Sequence, residues 1–158
     1  MKNENFAILR DAIIVRKKAT EVLRVLSMQT QKRIEQLNEK MMTEFYSALK
    51  EQMRVERFNE WLIHKECDFA AQAAMDITAN IRSANTIFPK IIEEYTERRI
   101  FWDKALAACN VLQDELQYIA EAVYADKNKF TALVLDIEKI FRTIKSVRQA
   151  DNRFLKKI

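Results

Sequence analysis

Apolar residues recur every three or four positions along most of the chain. One series begins at Phe6 and ends at Leu26, and a second runs from Ile34 to Met53. This spacing places apolar side chains on one face of a helix, whereas a half-buried strand would alternate apolar and polar residues. The first third of the chain is therefore predicted to be helical. The pattern leaves open whether residues 27–66 form one broken helix or two separate helices.

Pro89, the only proline, marks the clearest boundary in the sequence. A stripe rich in alanine and isoleucine precedes it between Phe69 and Ile87. Proline disfavours helical geometry at the residue before it, and the acidic pair Glu93 and Glu94 suits the first turn of a new helix. The sequence predicts a turn at this point and a new helix soon after it.

Two further amphipathic series occupy residues 100–123 and 130–147. Between them, residues 126–129 contain no apolar anchor, and either Asp126 or Asn128 is a suitable cap for the following helix. Short connections place consecutive helices side by side and antiparallel. The expected fold class is therefore all-α, an antiparallel four-helix bundle with long helices.

The composition strengthens this expectation. Glycine is absent, 49% of the residues are apolar and 32% are charged, which suits amphipathic helices and argues against strands joined by tight turns. The 158 residues fit one domain. We expect residues 1–158 to form a single helical-bundle domain, with N-terminal helices in 1–65, the later helices in 66–150 and a polar tail in 151–158.

Several classes of function are disfavoured by the same composition. Nucleophile elbows, phosphate-binding loops and dinucleotide fingerprints all need glycine, and a di-metal carboxylate bundle needs more than the single His64. His64 and Cys67 stand three residues apart and could supply two metal ligands, but an exposed histidine beside a buried thiol is favoured. We expect no enzyme activity, no metal and no cofactor.

The cellular setting is predicted from what the chain carries. It has two cysteines, opens without a secretory signal pattern, and has no apolar run near the roughly 20 residues that span a bilayer. A reduced, cytoplasmic setting without membrane insertion is expected.

Basic residues are the most informative polar feature. The carboxyl-terminal part of the chain is rich in cations, with Asp151 as the only acid after residue 139, and a second cluster lies near the amino terminus. A solvated helix face explains such a strip as readily as a surface that contacts phosphates with little sequence preference. The candidate nucleic-acid-binding residues are Lys139, Arg142, Lys145, Arg148, Arg153, Lys156, Lys157, Arg16, Lys17 and Lys18, with Arg24 beside the second cluster.

Aromatic side chains offer a second candidate chemistry, since exposed rings stack on bases. Most of them stand at helical spacing among aliphatic residues, so packing in the core or an interface is favoured over stacking. These aromatics are Trp61, Tyr95, Phe101, Trp102, Tyr118 and Tyr124.

Residues 80–153 combine several short motifs in a fixed order. It contains an Ala-Asn pair followed by proline, an acidic turn with two arginines, an Ala/Cys/Leu-rich helix and a closing basic segment that ends in Asp-Asn. The residues that carry it are Ala84, Asn85, Pro89, Glu94, Arg98, Arg99, residues 105–116, Ile144, Lys145, Arg148, Asp151 and Asn152. The pattern resembles the four-helix-bundle proteins related to the accessory variability determinant of diversity-generating retroelements.

The resemblance implies a specific role. Proteins of that family are basic, oligomeric helical partners of a reverse transcriptase that contact nucleic acid through positive surfaces. By resemblance, this chain would be a homo-oligomeric accessory subunit that binds a reverse transcriptase and RNA or DNA. An expected partner or oligomer interface contains Arg98, Arg99, Trp61 and Trp102, although Arg98 and Arg99 could instead pair with Glu94 or Glu97.

The alternative function is a protein-interaction or scaffold bundle whose cations only keep it soluble. This alternative predicts no affinity for nucleic acid and a surplus of exposed apolar residues that dock a partner, with Phe58, Trp61 and Leu62 as candidates.

Overall fold

The computed structural model describes residues 2–41, 46–123 and 125–157. Within these ranges the chain is an all-α bundle of four long helices with one short helix at the end, so the predicted fold class is confirmed. The helices are α1 (Lys2–Met41), α2 (Tyr46–Thr86), α3 (Ile92–Ala122), α4 (Asn128–Ala150) and α5 (Asn152–Leu155). Tyr124, one of the candidate stacking aromatics, lies outside the described residues.

The question left open for residues 27–66 has a clear answer. α1 continues without interruption to Met41, and α2 runs from Tyr46 through the charged stretch at 54–66. Thr30 does not break α1, because its hydroxyl donates a hydrogen bond to the carbonyl oxygen of Leu26 at 3.1 Å, one turn earlier. Two long helices therefore lie on either side of residues 42–45, which are outside the described ranges.

The two predicted turns are also confirmed. α2 ends at Thr86 before Pro89, and α3 opens with Glu93 and Glu94 in its first turn. The Glu94 carboxylate accepts a hydrogen bond from the backbone N–H of Lys90 at 2.7 Å. At the second turn the Asp126 carboxylate accepts the backbone N–H of Asn128 at 3.0 Å. Side-chain carboxylates thus satisfy backbone donors where the chain enters α3 and α4.

Each helix packs against its neighbours in chain order, and α4 returns against α1. Contacts between α1 and α4 run in opposite directions along the two helices: Gln29 bonds Lys129, and Asp11 pairs with Lys139. The core is formed by the apolar stripe of each helix. Among its fully buried members are Val15, Ile63, Ile77, Ile81, Trp102, Leu112, Leu116, Ile119, Leu133, Ile137, Ile140 and Ile144.

α1 and α2 extend beyond the other two helices at one end. α3 stops at Ala122 and α4 begins at Asn128, at the level where Gln29 of α1 contacts Lys129. At about 1.5 Å per residue, the last dozen residues of α1 continue for roughly 18 Å with α2 as their neighbour among the described helices. This two-helix arm is joined by an ion pair between Arg33 and Glu56, at 3.0 Å.

The carboxyl-terminal residues differ from the predicted polar tail. Asp151 is only 3% exposed, residues 152–155 form α5, and Phe154 is half-buried. The apolar stripe of α4 passes through Ile137 and Ile144, and Asp151 continues it at the same seven-residue spacing. Asp151 thus occupies a core position, and it is tolerated there because it has a buried partner, Arg98.

No helix in the described part of the chain has the length and hydropathy needed to cross a bilayer.

Candidate nucleic-acid interface

A buried ion pair joins the start of α3 to the end of α4. Arg98 is 2% exposed, and its guanidinium makes two hydrogen bonds to the Asp151 carboxylate. Nε donates to Oδ2 at 2.6 Å and Nη2 donates to Oδ1 at 3.2 Å. This bidentate geometry is the strongest form of an arginine–carboxylate contact.

Neighbouring groups satisfy the rest of the pair. Nη1 of Arg98 donates to the carbonyl oxygen of Ile87 at 2.8 Å and to that of Ala84, which caps the end of α2. Trp102 donates its indole N–H to Asp151 Oδ2 at 2.8 Å. The guanidinium and carboxylate therefore have the additional hydrogen bonds that a buried ion pair needs to be stable. We call these three side chains the buried latch: Arg98, Trp102 and Asp151.

A second, more exposed layer covers the latch. The hydroxyl of Tyr95 donates to Asn152 Oδ1 at 2.9 Å, and Arg99 donates to the Tyr95 oxygen at 2.7 Å and to Asn152 at 3.2 Å. The Phe154 ring of α5 lies 5.7 Å from the Arg98 guanidinium carbon. These contacts fix α5 against the first turns of α3.

This geometry corrects part of the expected partner interface. Arg98 and the fully buried Trp102 cannot face a partner in the folded chain, because both are enclosed by Asp151 and the end of α2. The expected pairing of Arg98 with Glu94 or Glu97 is likewise replaced by Asp151. Arg99 stays half-buried against Tyr95 and Asn152.

Trp61 does lie at the surface. It is 53% exposed, its ring lies 5.6 Å from that of Phe58, and the Lys65 ammonium lies 5.0 Å from its centroid. Phe58 is 56% exposed, whereas Leu62 is buried. Two of the three apolar residues expected on the surface in the scaffold hypothesis are therefore on the surface of α2.

Four of the ten predicted phosphate-binding cations pair with carboxylates. Lys139 lies 3.7 Å from Asp11 of α1, and Arg142 lies 2.8 Å from Glu138. In the other two pairs, Lys18 binds Asp136, and Arg148 donates a hydrogen bond to Asp103 of α3 at 3.1 Å. Arg148 is half-buried against α3 and is therefore not a freely exposed cation. The strip expected along α4 is thus interrupted by acids from three helices.

The two basic clusters meet only in part. α1 and α4 are neighbours, and Lys18 reaches the seam between them through Asp136. Arg16 lies two positions earlier on α1, which is about 200° around a helix, so it cannot share that seam. Arg24 pairs with Glu21 at 2.7 Å, which lowers the pKa of Glu21 mainly through the hydrogen bond from Arg24.

The other six predicted cations form no ion pair among the described residues. Arg16 and Lys17 lie on α1, and the remaining four lie towards the carboxyl-terminal end of the bundle. Lys145 stands over the Phe141 ring at 5.5 Å, and Arg153 stands over the Phe154 ring at 5.2 Å. The six are Arg16, Lys17, Lys145, Arg153, Lys156 and Lys157.

Four of these six cations lie at the carboxyl-terminal end of the bundle. Two further cations lie at the same end: Lys90 in the α2–α3 turn and Arg99 on α3. The first two turns of α3 carry Glu93, Glu94 and Glu97, so the six cations of this end outnumber the carboxylates that follow the α2–α3 turn. We call this surface the basic end, and it consists of Lys90, Arg99, Lys145, Arg153, Lys156 and Lys157. The sequence pattern predicted Lys145, Arg153, Lys156 and Lys157 as phosphate contacts. It did not predict Lys90 and Arg99 as part of this surface, because they precede the other four by some fifty residues.

Other polar groups do not gather into a metal site in the described ranges. No cluster of histidine, cysteine and carboxylate residues there could hold a metal ion, and His64 is exposed on α2. Burial raises the pKa of the Cys109 thiol to about 12, which makes it a poor nucleophile. A groove of about 470 Å³ between α3 and α4 is lined mainly by apolar and amide side chains.

Comparison with protein-family models, curated proteins and solved structures found no match.

Proposed function

We propose that this chain is a non-enzymatic accessory protein that binds nucleic acid through the basic end and assists a reverse transcriptase. The observation that carries the nucleic-acid part is the set of cations at that end that have no carboxylate partner within residues 2–41, 46–123 and 125–157. The reverse transcriptase, and self-association into a homo-oligomer, enter through the resemblance of residues 80–153 to the accessory proteins of diversity-generating retroelements.

The physical mechanism is electrostatic. Each lysine or arginine that neutralises a phosphate releases condensed counterions, so binding gains free energy without reading the sequence of bases. Cations already paired with carboxylates contribute less, because the nearby negative charge offsets their field. The unpaired cations at the basic end should therefore dominate binding over Lys139, Arg142 and Arg148.

Charge reversal tests the location of the site. We expect the double variant Lys156→Glu, Lys157→Glu to bind a fluorescein-labelled oligonucleotide at least tenfold more weakly than the unaltered chain in an anisotropy titration at low salt. A matched control, Lys32→Glu with Lys50→Glu, makes the same change of charge on the exposed arm of α1 and α2. Equal loss in both variants would show that net charge, and not the basic end, drives binding.

A second function is favoured by Phe58 and Trp61. These rings are exposed side by side on α2, and exposed aromatic clusters are typical of protein-docking surfaces. In this reading the chain is a scaffold without affinity for nucleic acid. Co-purification with a candidate partner, compared between the unaltered chain and Phe58→Ala with Trp61→Ala, separates the two functions. Loss of the partner in that variant, together with no oligonucleotide binding by the unaltered chain at low salt, supports the scaffold.

A further inference from the structure

The turn between α2 and α3 exposes large apolar side chains. Phe88 is 60% exposed, Ile91 is 52% exposed and Ile92 is 48% exposed, whereas Pro89 between them is buried. Solvent-exposed side chains of this size on one short turn are unfavourable unless something covers them. Phe88 is the only aromatic residue among them.

The apolar turn and the basic end belong to one surface. The carbonyl oxygen of Ile87, the residue before Phe88, accepts a hydrogen bond from Arg98. The same guanidinium binds Asp151 and lies 5.7 Å from the Phe154 ring. Arg153 flanks that ring, and Lys156 and Lys157 follow it by two and three residues. Cations and an exposed ring are therefore held together by the buried latch.

The latch makes this arrangement rigid before any ligand binds. The turn, the start of α3 and α5 are fixed to one another by hydrogen bonds to Arg98 and Asp151. A preformed surface loses less conformational entropy when it binds. The backbone that carries Phe88 thus has a defined position relative to Arg153 of α5.

We propose that the basic end binds single-stranded nucleic acid, with an unpaired base stacked on the Phe88 ring and the phosphates held by Arg153, Lys156 and Lys157. This inference rests on the proposed nucleic-acid function and names its substrate class. Cations alone contact single strands and duplexes alike, but a duplex hides the faces of its bases. An exposed ring beside cations is the combination that single-strand-binding surfaces use.

The experiment uses the full chain and three labelled probes of 20 nucleotides: an unstructured RNA, a DNA single strand and a DNA duplex. We expect Phe88→Ala to weaken binding of both single strands by about 5- to 150-fold, the range for loss of one stacked base, and to leave duplex binding unchanged. Phe88→Trp should restore single-strand binding. Phe69→Ala, which removes a similarly exposed ring on α2, should leave the binding of all three probes unchanged.

The outcomes separate the two proposals. Stacking on Phe88 is refuted if the Phe88→Ala variant binds single strands as tightly as the unaltered chain. It is also refuted if the variant loses the same affinity for single strands and for the duplex. In either case the electrostatic function stands. If the unaltered chain binds none of the probes at low salt, both proposals fall. If an acidic protein partner binds instead, and binding depends on Phe88, the surface is a protein interface. A thermal melt of each variant checks that the fold is intact.

Discussion

Replacing Asp151 by asparagine should destabilise the bundle far more than its position near the carboxyl terminus suggests. The carboxylate accepts hydrogen bonds from Arg98 Nε at 2.6 Å, Arg98 Nη2 at 3.2 Å and the Trp102 indole at 2.8 Å. Asparagine offers one acceptor oxygen and no charge, so the Arg98 guanidinium would remain buried without a counterion. Breaking a buried pair in this way costs about 3–5 kcal/mol.

That cost is a large share of the stability of an ordinary domain, which is about 5–15 kcal/mol. For a chain of this size each kcal/mol lowers Tm by roughly 2–4 °C, so Asp151→Asn should lower Tm by about 10 °C. Urea denaturation followed by circular dichroism measures the free energy of unfolding directly. Asp103→Asn, which breaks the half-exposed pair with Arg148, is the matched control and should cost less than about 1 kcal/mol.

A double variant distinguishes a buried charge from lost packing. Arg98→Met combined with Asp151→Leu removes both charges, and well-packed apolar replacements of a buried pair are often neutral. We expect the double variant to be more stable than Asp151→Asn. The reasoning is refuted if Asp151→Asn lowers the free energy of unfolding no more than Asp103→Asn does. Arg98 would then be as well solvated as a surface arginine.

Three further predictions concern other parts of the bundle. Burial, with the neighbouring Glu66, raises the pKa of Glu115, so the folded chain holds this proton more tightly than the unfolded chain does. The stability from that proton is present at low pH and is lost as the pH rises through the folded pKa. Glu115→Gln should therefore raise the free energy of unfolding at pH 7 by up to about 1 kcal/mol and leave it unchanged near pH 3 in urea melts. Cys109 should resist a thiol reagent at pH 8 until the chain is denatured, whereas Cys67, which is half-buried and has a less strongly raised pKa, should react in the folded protein; equal rates would contradict the buried position. Ile144→Ala should cost about 2–5 kcal/mol in the same denaturation assay, and a loss below 1 kcal/mol would show that α4 is not part of the core.

Helix positions and turns were predictable because they depend on local chemistry. The three- and four-residue spacing of apolar side chains fixes which face of each helix is buried, and Pro89 with the acidic pair after it marks where α3 begins. Ser27 and Thr30 separate the first two apolar series of the sequence, yet α1 passes through both residues. A threonine hydroxyl can bond within its own helix, as Thr30 does with Leu26, so polarity alone does not end a helix.

The candidate interface was harder to predict because it depends on residues distant in sequence. A helical projection of α4 places Lys139 and Arg142 outward, but it cannot show that Asp11 arrives from α1 beside them. The same limit applies to Arg98, whose charge suggested a surface position. Its partner Asp151 lies 53 residues later, and no periodic pattern connects the two.

The segments that carry the retroelement resemblance meet in the fold. Arg98 binds Asp151, and Tyr95 and Arg99 bind Asn152, so the acidic–arginine motif at the start of α3 and the closing Asp-Asn pair form one network. Their joint occurrence in the pattern therefore has a structural reason in this chain. The reverse transcriptase partner remains a prediction.

The salt dependence of binding tests the central claim most directly. The dissociation constant of the labelled single strand should be measured between 50 and 200 mM salt, values that span the range over which phosphate-binding proteins lose affinity. Each neutralised phosphate of a single strand contributes about −0.7 to the slope of the logarithm of the association constant against the logarithm of salt concentration. Four to six cations at the basic end therefore predict a slope of about −3 to −4 for the association constant, the reciprocal of the measured dissociation constant. A slope near zero, or no binding at 50 mM salt, would contradict the account.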